Sequence, residues 1–170
     1  MQEKNERQCT GIFVYRFNET TSEYEVALVQ TNKFRHYDTQ ELLWTIPGGK
    51  IEPKDAGDTL EKRILACAQR EVRQEIGIEI ENVTYYPHWN SQKTGAEIGV
   101  INETGDINRT TQFYFYECVA RALSDELTHG DDVIRTGWYS LSQIQSLNMA
   151  KDVKGLLQDI LTHTEKYFVK

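Results

Sequence analysis

Glu71 and Glu75 stand four residues apart in Asp58 to Ile76, a segment whose apolar residues recur at the period of a helix. With Glu71 at zero and about 100° per residue, Ile64, Ala68, Val72, Leu65 and Ile76 fall between about 20° and 140°. Leu60 and Cys67 lie just to the other side, and Glu75 falls near 40°, so both acids lie within the apolar stripe. Lys62, Arg63, Arg70 and Arg73 occupy the opposite half. Two carboxylates on a core-facing stripe repel each other and resist desolvation. A divalent cation between them removes both penalties; protonation or a buried arginine would relieve them in part. Oxygen ligands suit Mg²⁺ or Mn²⁺ rather than a thiolate-seeking metal. The bland alternative is a pair of acids at the margin of an exposed helix.

The elements that must position these acids follow from local pattern. Gly11 to Phe17 and Tyr24 to Gln30 read as strands around a polar turn, Asn18 to Glu23. A further run, Leu42 to Ile46, is stopped by Pro47-Gly48-Gly49. Asp58 and Glu61 have the spacing of a capping box, and Gly77 reads as the helix stop. An extended segment lies within Ile78 to Trp89, with Pro87 near its end. Asn90 to Arg109 reads as a long loop or hairpin. Thr111 to Ala120 and Val133 to Tyr139 read as strands. Val153, Leu156, Leu157, Ile160 and Leu161 form the apolar stripe of a C-terminal helix. Strands, one central helix, more strands and a terminal helix imply an α+β fold, a mixed sheet with helices on its faces.

Composition narrows the classes. A chain of 170 residues with 39% hydrophobic residues has enough apolar material for one cored domain, and no composition break divides 1–170. Nineteen Lys and Arg against 26 Asp and Glu give a net charge of −7, which argues against coating a nucleic-acid polymer or an anionic membrane. It leaves small phosphorylated compounds open, since acidic sites hold the metal ions that bind phosphate. Cys9, Cys67 and Cys118 are scattered and odd in number, so a disulfide framework or zinc–thiolate site is not expected. Met1 to Gln8 lacks the apolar run of a signal peptide, and no stretch has the length of a membrane span. The expectation is a soluble, cytoplasmic protein.

Arg70-Glu71-Val72-Arg73-Gln74-Glu75-Ile76-Gly77-Ile78 resembles the second half of the Nudix box, G-x5-E-x7-R-E-U-x-E-E-x-G-U with U aliphatic. Trp44 to Pro53 is similar to the strand and glycine turn that introduce that box. Gly137-Trp138-Tyr139-Ser140-Leu141 resembles the family's last strand running into its C-terminal helix. The resemblance spans nearly the whole chain, and a box with this many constrained positions is a specific signal. It implies a Nudix-like α/β/α sandwich and a pyrophosphohydrolase that cleaves nucleoside diphosphates linked to another moiety by attack of water on phosphorus. Mg²⁺ or Mn²⁺ is the implied cofactor. The implied substrate is a nucleoside triphosphate or related nucleotide, with ADP-ribose, dinucleoside polyphosphates and nucleotide sugars as alternatives. A nucleotide-sensing module with little turnover is the rival reading. A symmetric homodimer is the default assembly for such a protein.

The chain departs from the box in three ways. Gly49 and Arg70 are 21 positions apart where the pattern has 14. The pattern's first glutamate has no clean counterpart, and Asp58 or Glu61 is expected to support Arg70. The first acid of the family's E-E pair is Gln74 here, an amide that offers a carbonyl oxygen without charge. Carried over residue by residue, the resemblance makes Glu71, Glu75, Gln74 and the Gly49 carbonyl metal ligands, with Arg70 orienting the acids. Asp132 is the preferred general base, with Asp131, Glu97 and Glu103 as rivals. Arg35, Tyr37 and Trp89 are candidate substrate contacts, Trp89 because an aromatic face can stack on a base. Packing and ordinary loop polarity are the competing explanations for these three. The four histidines, at 36, 88, 129 and 163, share no metal-ligand spacing.

Overall fold

The computed structural model describes residues 5–36, 39–99, 101, 105–130, 132–150 and 153–168. Among them, eight strands form one mixed sheet: β1 (Asn5–Asn18), β2 (Glu23–Arg35), β3 (Leu42–Thr45), β4 (Gly48–Lys50), β5 (Ile80–Tyr85), β6 (Ser91–Thr94), β7 (Thr111–Ala122) and β8 (Val133–Tyr139). The main path runs β3-β2-β1-β7-β5, with β4 on β1, β6 on β7 and β8 on β2. β1 and β7 are parallel, from Asn5 opposite Thr111 to Tyr15 opposite Arg121, and the other pairs are antiparallel. The helices are α1 (Leu60–Ile76), α2 (Gly95–Ile98), α3 (Leu141–Ile144), α4 (Val153–Thr162) and α5 (Thr164–Tyr167).

Strand alternation divides the core into two layers. Ile12 and Val14 of β1 and Cys118 and Ala120 of β7 face α1, meeting Ile64, Cys67, Ala68, Val72 and Ile76. Phe13, Tyr15 and Val119 face the other way, against Leu157 and Ile160 of α4. β1 is apolar on both faces from Ile12 to Tyr15, as a central strand requires. No helix among the described residues is long and apolar enough to cross a membrane.

Three local expectations are corrected. Gly48–Lys50 does not merely end a strand: it pairs with Cys9–Gly11 as β4, because backbone pairing with a long central strand outweighs the poor strand propensity of glycine. The helix begins one residue later than expected. Thr59 is its N-cap, accepting from the Lys62 N–H at 3.2 Å, while Asp58 makes a surface ion pair with Lys62. Leu60, in that first turn, is 41% exposed, and the stripe becomes buried one turn later at Ile64. The segment 90–109 contains β6 and the short helix α2. Gly77 ends α1 in the left-handed region at φ 72°, its N–H bonded to the Arg73 carbonyl at 3.1 Å.

Candidate active site

The Pro47-Gly48-Gly49 bend is tied to the sheet by the Ile12 N–H, which donates to the Pro47 carbonyl at 2.9 Å, and by the β1–β4 pairing. This places the bend beside the third and fourth turns of α1. Gly49 lies so close to Glu71 that a Cβ there would sit 2.5 Å from the carboxyl carbon. The Gly48 N–H donates to Glu75 Oε1 at 3.4 Å. Both acids therefore turn from the helix toward the bend, and both are only half-buried.

Arg70 organises this corner. Its Nε and Nη2 donate to the two oxygens of Asp55 at 2.7 and 2.9 Å, a fork-to-carboxylate pair. Nη2 also donates to the Lys50 carbonyl at 2.9 Å, and Nη1 to Glu71 Oε1 at 2.6 Å and Gln74 Oε1 at 3.2 Å. Asp55 is locked in turn by the Glu52 N–H at 2.7 Å. Its side chain is 2% exposed, and the Arg70 guanidinium holds its pKa below the usual carboxylate value. One guanidinium thus joins the loop, the bend and the helix. The expectation that Asp58 or Glu61 supports Arg70 is overturned: Asp58 is engaged by Lys62 at the surface, Glu61 is exposed, and the seven extra positions let the loop fold Asp55 back onto Arg70.

Glu75 carries the electrostatic strain. Burial first, and the Glu71 charge second, push its pKa up to about 8; the Gly48 N–H acts in the opposite direction. Arg70 is committed to Asp55 and Glu71, and the cation that acts on Glu75 is Lys33, whose charge favours the ionised acid less than burial and Glu71 oppose it. Asp132 is exposed, and the loop before it is docked on the end of α1. The Gly130 N–H donates to the Glu75 carbonyl at 3.1 Å and the Thr128 N–H to the Ile76 carbonyl at 3.0 Å.

The remaining candidates are placed as follows. Gln74 is exposed, its amide oxygen accepting from Arg70. Glu97 caps α2 in a reciprocal box with Thr94. Arg35 gives its guanidinium to the Gln40 carbonyl and the Asn32 side chain, at 2.9 and 3.0 Å, so its own loop satisfies it. Trp89 packs edge-on against Phe13 and within 5.0 Å of the Tyr86 and Tyr167 rings, on the face of the sheet away from α1. Tyr37, Asp131 and Glu103 lie outside the described residues. The open apolar groove bounded by Phe17, Tyr24 and Phe168 sits at the hairpin end of β1, away from the acids.

No group of three or more His, Cys, Asp or Glu side chains is gathered for a metal among the described residues. The donor set that is present, two carboxylates beside a glycine backbone, fits Mg²⁺. That ion is commonly held by one or two carboxylates, with substrate phosphate and water completing its shell. A half-buried, mutually repelling pair of acids is also what a divalent cation relieves.

A NUDIX domain family model matches residues 7–160. No match is found among curated proteins. Among solved structures, an Ap4A hydrolase from C. elegans superposes with a TM-score of 0.62 at 16% identity, covering 95% of this chain and 99% of that one. The NUDIX domain of Shewanella oneidensis NrtR, in complex with ADP ribose, gives 0.66 at 14% identity, with 95% and 90% covered. A MutT protein from Bacillus halodurans gives 0.60 at 19% identity, with 91% and 82% covered. At these identities the superpositions speak for the fold, and the family match carries the assignment. With the acids of the box helix turned onto the glycine bend and the match running through nearly the whole sheet, the chain belongs to the NUDIX domain family, whose chemistry is the hydrolysis of a phosphoric anhydride.

Proposed function

We propose that the chain is a Mg²⁺-dependent pyrophosphohydrolase of a nucleoside diphosphate-linked small molecule, with a nucleoside triphosphate or a related nucleotide as the leading substrate class. The observation that carries this reading is the convergence of Glu71 and Glu75 on the Gly48–Gly49 backbone. Glu71 and Glu75 would hold the metal, with the Gly49 backbone beside them. When bound, Mg²⁺ offsets phosphate charge and lowers the pKa of bound water. Arg70 fixes the Glu71 carboxylate in place and is itself fixed by Asp55. Asp132, which follows the loop docked against the end of α1, is the acid outside the helix to which we assign acceptance of the proton of the attacking water. Supporting substrate identity are two fold neighbours, an Ap4A hydrolase and a domain crystallised with ADP ribose, so both compounds belong in the substrate panel.

The test is a panel of nucleoside triphosphates, dinucleoside polyphosphates, ADP-ribose and nucleotide sugars, with products identified. Cleavage of an anhydride bond with Mg²⁺ and none with EDTA is expected. Gln74 favours a second reading, a nucleotide-sensing module, because it removes one charge from the box. Tight binding with no turnover at any Mg²⁺ or Mn²⁺ concentration would select that reading.

Gly49→Ala probes the cradle. The added Cβ would meet the Glu71 carboxylate, the mobile end of a side chain, so stability should change little while the carboxylate is displaced. Turnover is expected to fall by about 10–100-fold, the usual effect of misorienting a metal ligand. Gly155→Ala, in open space on α4, is the control and should leave turnover unchanged. Equal rates in the two variants would remove Gly49 from the site.

A further inference from the structure

Glu117 lies on β7, outside the box helix and outside every role assigned above. It is 8% exposed, and among the described residues neither carboxylate oxygen has a hydrogen-bond or ion-pair partner; Oε2 is fully sealed. Such a group is unfavourable unless something supplies donors. Its flanking residue Val119 belongs to the layer under α4, so by strand alternation Glu117 faces away from α1. It is opposite Gly11 of β1 and lies across that residue, where any Cβ would collide with Oε2 and with Ile46. Gly11 is in turn opposite Gly48, whose N–H holds Glu75. Gly48 and Gly11 thus set the metal-ligand acids and Glu117 two strand spacings apart, roughly 10 Å, with the acids on the α1 side of these glycines and Glu117 on the other. Phe13, two residues from Gly11, carries Trp89 on the same face. On the neighbouring strand β2, Gln30 also faces this side. Its amide nitrogen donates to the Leu42 carbonyl, while its Oε1 is buried with no donor among the described residues.

We infer that Glu117 is a specificity-determining residue that accepts N–H hydrogen bonds from the moiety attached to the diphosphate. That moiety would be a heterocycle with two adjacent N–H donors, of which guanine is the type. The inference rests on the proposed function only for placing the diphosphate at Glu71 and Glu75. Turned off Gly11, so that the sealed Oε2 is uncovered, the ionised carboxylate is acceptor-only and can take two parallel N–H groups, a pattern that guanine presents through its ring N–H and amino group. Hypoxanthine lacks the amino group, and uracil offers only an isolated N–H. Burial alone pushes the Glu117 pKa up to about 7, so the ionised form is within reach at neutral pH and is favoured further by donors. The orphaned Gln30 oxygen is a second acceptor on that face, suited to the same donor-rich ligand.

The test is calorimetric titration of GMP and IMP, neither of which contains an anhydride to cleave, with Mg²⁺ and again with EDTA. Wild type should bind GMP about 10–100-fold more tightly than IMP, the worth of one charge-assisted hydrogen bond. Glu117→Leu should bring the two affinities together, and Glu117→Gln should leave an intermediate ratio. Melting curves report folding, and the isosteric Gln variant serves if the Leu variant does not fold. Equal affinity of wild type for both nucleotides, including no binding of either, overturns the inference. So does discrimination that survives both substitutions. Discrimination without turnover of any panel substrate would keep this inference and remove the hydrolytic reading instead.

Discussion

Glu75→Gln lowers Mg²⁺-dependent turnover by about 10²–10³-fold, the range for removing one preorganised electrostatic group from a site, and at the same time stabilises the metal-free protein. The two effects have one cause. Glu75 is a carboxyl whose folded-state pKa is raised from 4.5 to about 8 by burial and by Glu71. An acid with a raised folded pKa opposes folding: the unfolded chain releases its proton above pH 4.5, while the folded protein must either keep the proton or bear a buried charge. The penalty is absent below pH 4.5, grows as pH rises toward 8, and is constant beyond. Gln at this position does not titrate. The stability difference between variant and wild type should therefore be near zero at pH 4 and favour the variant increasingly up to pH 8, in EDTA. Adding Mg²⁺ at pH 8 should raise the melting temperature of wild type more than that of the variant. Chemical denaturation at pH 4, 6 and 8, with and without metal, reads all of this. A variant that is equally active, or less stable than wild type at pH 8 without metal, would show that Glu75 is a structural acid.

The orientation of that acid was legible in the chain because a helix is local. Once Ile64, Ala68, Val72 and Ile76 define the inner stripe, the facing of Glu71 and Glu75 follows from 3.6 residues per turn, and the buried residues of α1 are those of that stripe. The C-terminal helix was legible for the same reason, with Leu157 and Ile160 at its buried centre. What could not be read depends on contacts between distant segments. Gly48–Lys50 has no strand character of its own and becomes β4 only because Cys9–Gly11 offers it unpaired backbone. Trp89 offers an aromatic face that could stack on a base, yet its ring packs against Tyr86, Tyr167 and Phe13, the last on a strand more than seventy residues earlier. Glu117 had a local signal: an acid in period-two alternation with Phe113, Phe115 and Val119, at a position where a strand buries apolar groups.

Asp55 was the least accessible, and its removal should have the largest effect on stability. The loop Ile51 to Asp58 carries acids at 52, 55 and 58, and chain spacing favours the last, nearest the helix. The choice is made by geometry: the Glu52 N–H and carbonyl close a turn on Asp55, which aims both carboxylate oxygens at the Arg70 fork. Glu52 and Asp58 remain at the surface with Lys54 and Lys62. Asp55→Ala takes the fork partner from a guanidinium that is 16% exposed and leaves it with Glu71, Gln74 and the Lys50 carbonyl, a loss of charge-assisted hydrogen bonding worth about 1.5–3 kcal/mol. Exposed acids in the same loop are worth at most about 1 kcal/mol, so Asp58→Ala is the matched control. The pH dependence gives an independent reading. Asp55 has a depressed folded pKa, so its contribution is fully present above the ordinary carboxyl value near 3.8 and is lost as pH falls through the lower folded value. Urea denaturation should separate wild type from Asp55→Ala widely at pH 7 and bring them together as the pH falls below the ordinary carboxyl value and through the depressed folded one. The same variant should lose turnover, because Arg70 without Asp55 no longer holds Glu71 against Gly49. Restoring packing with the double substitution Asp55→Leu and Arg70→Met should recover stability without recovering turnover, which separates the pair's structural role from its orientation of Glu71.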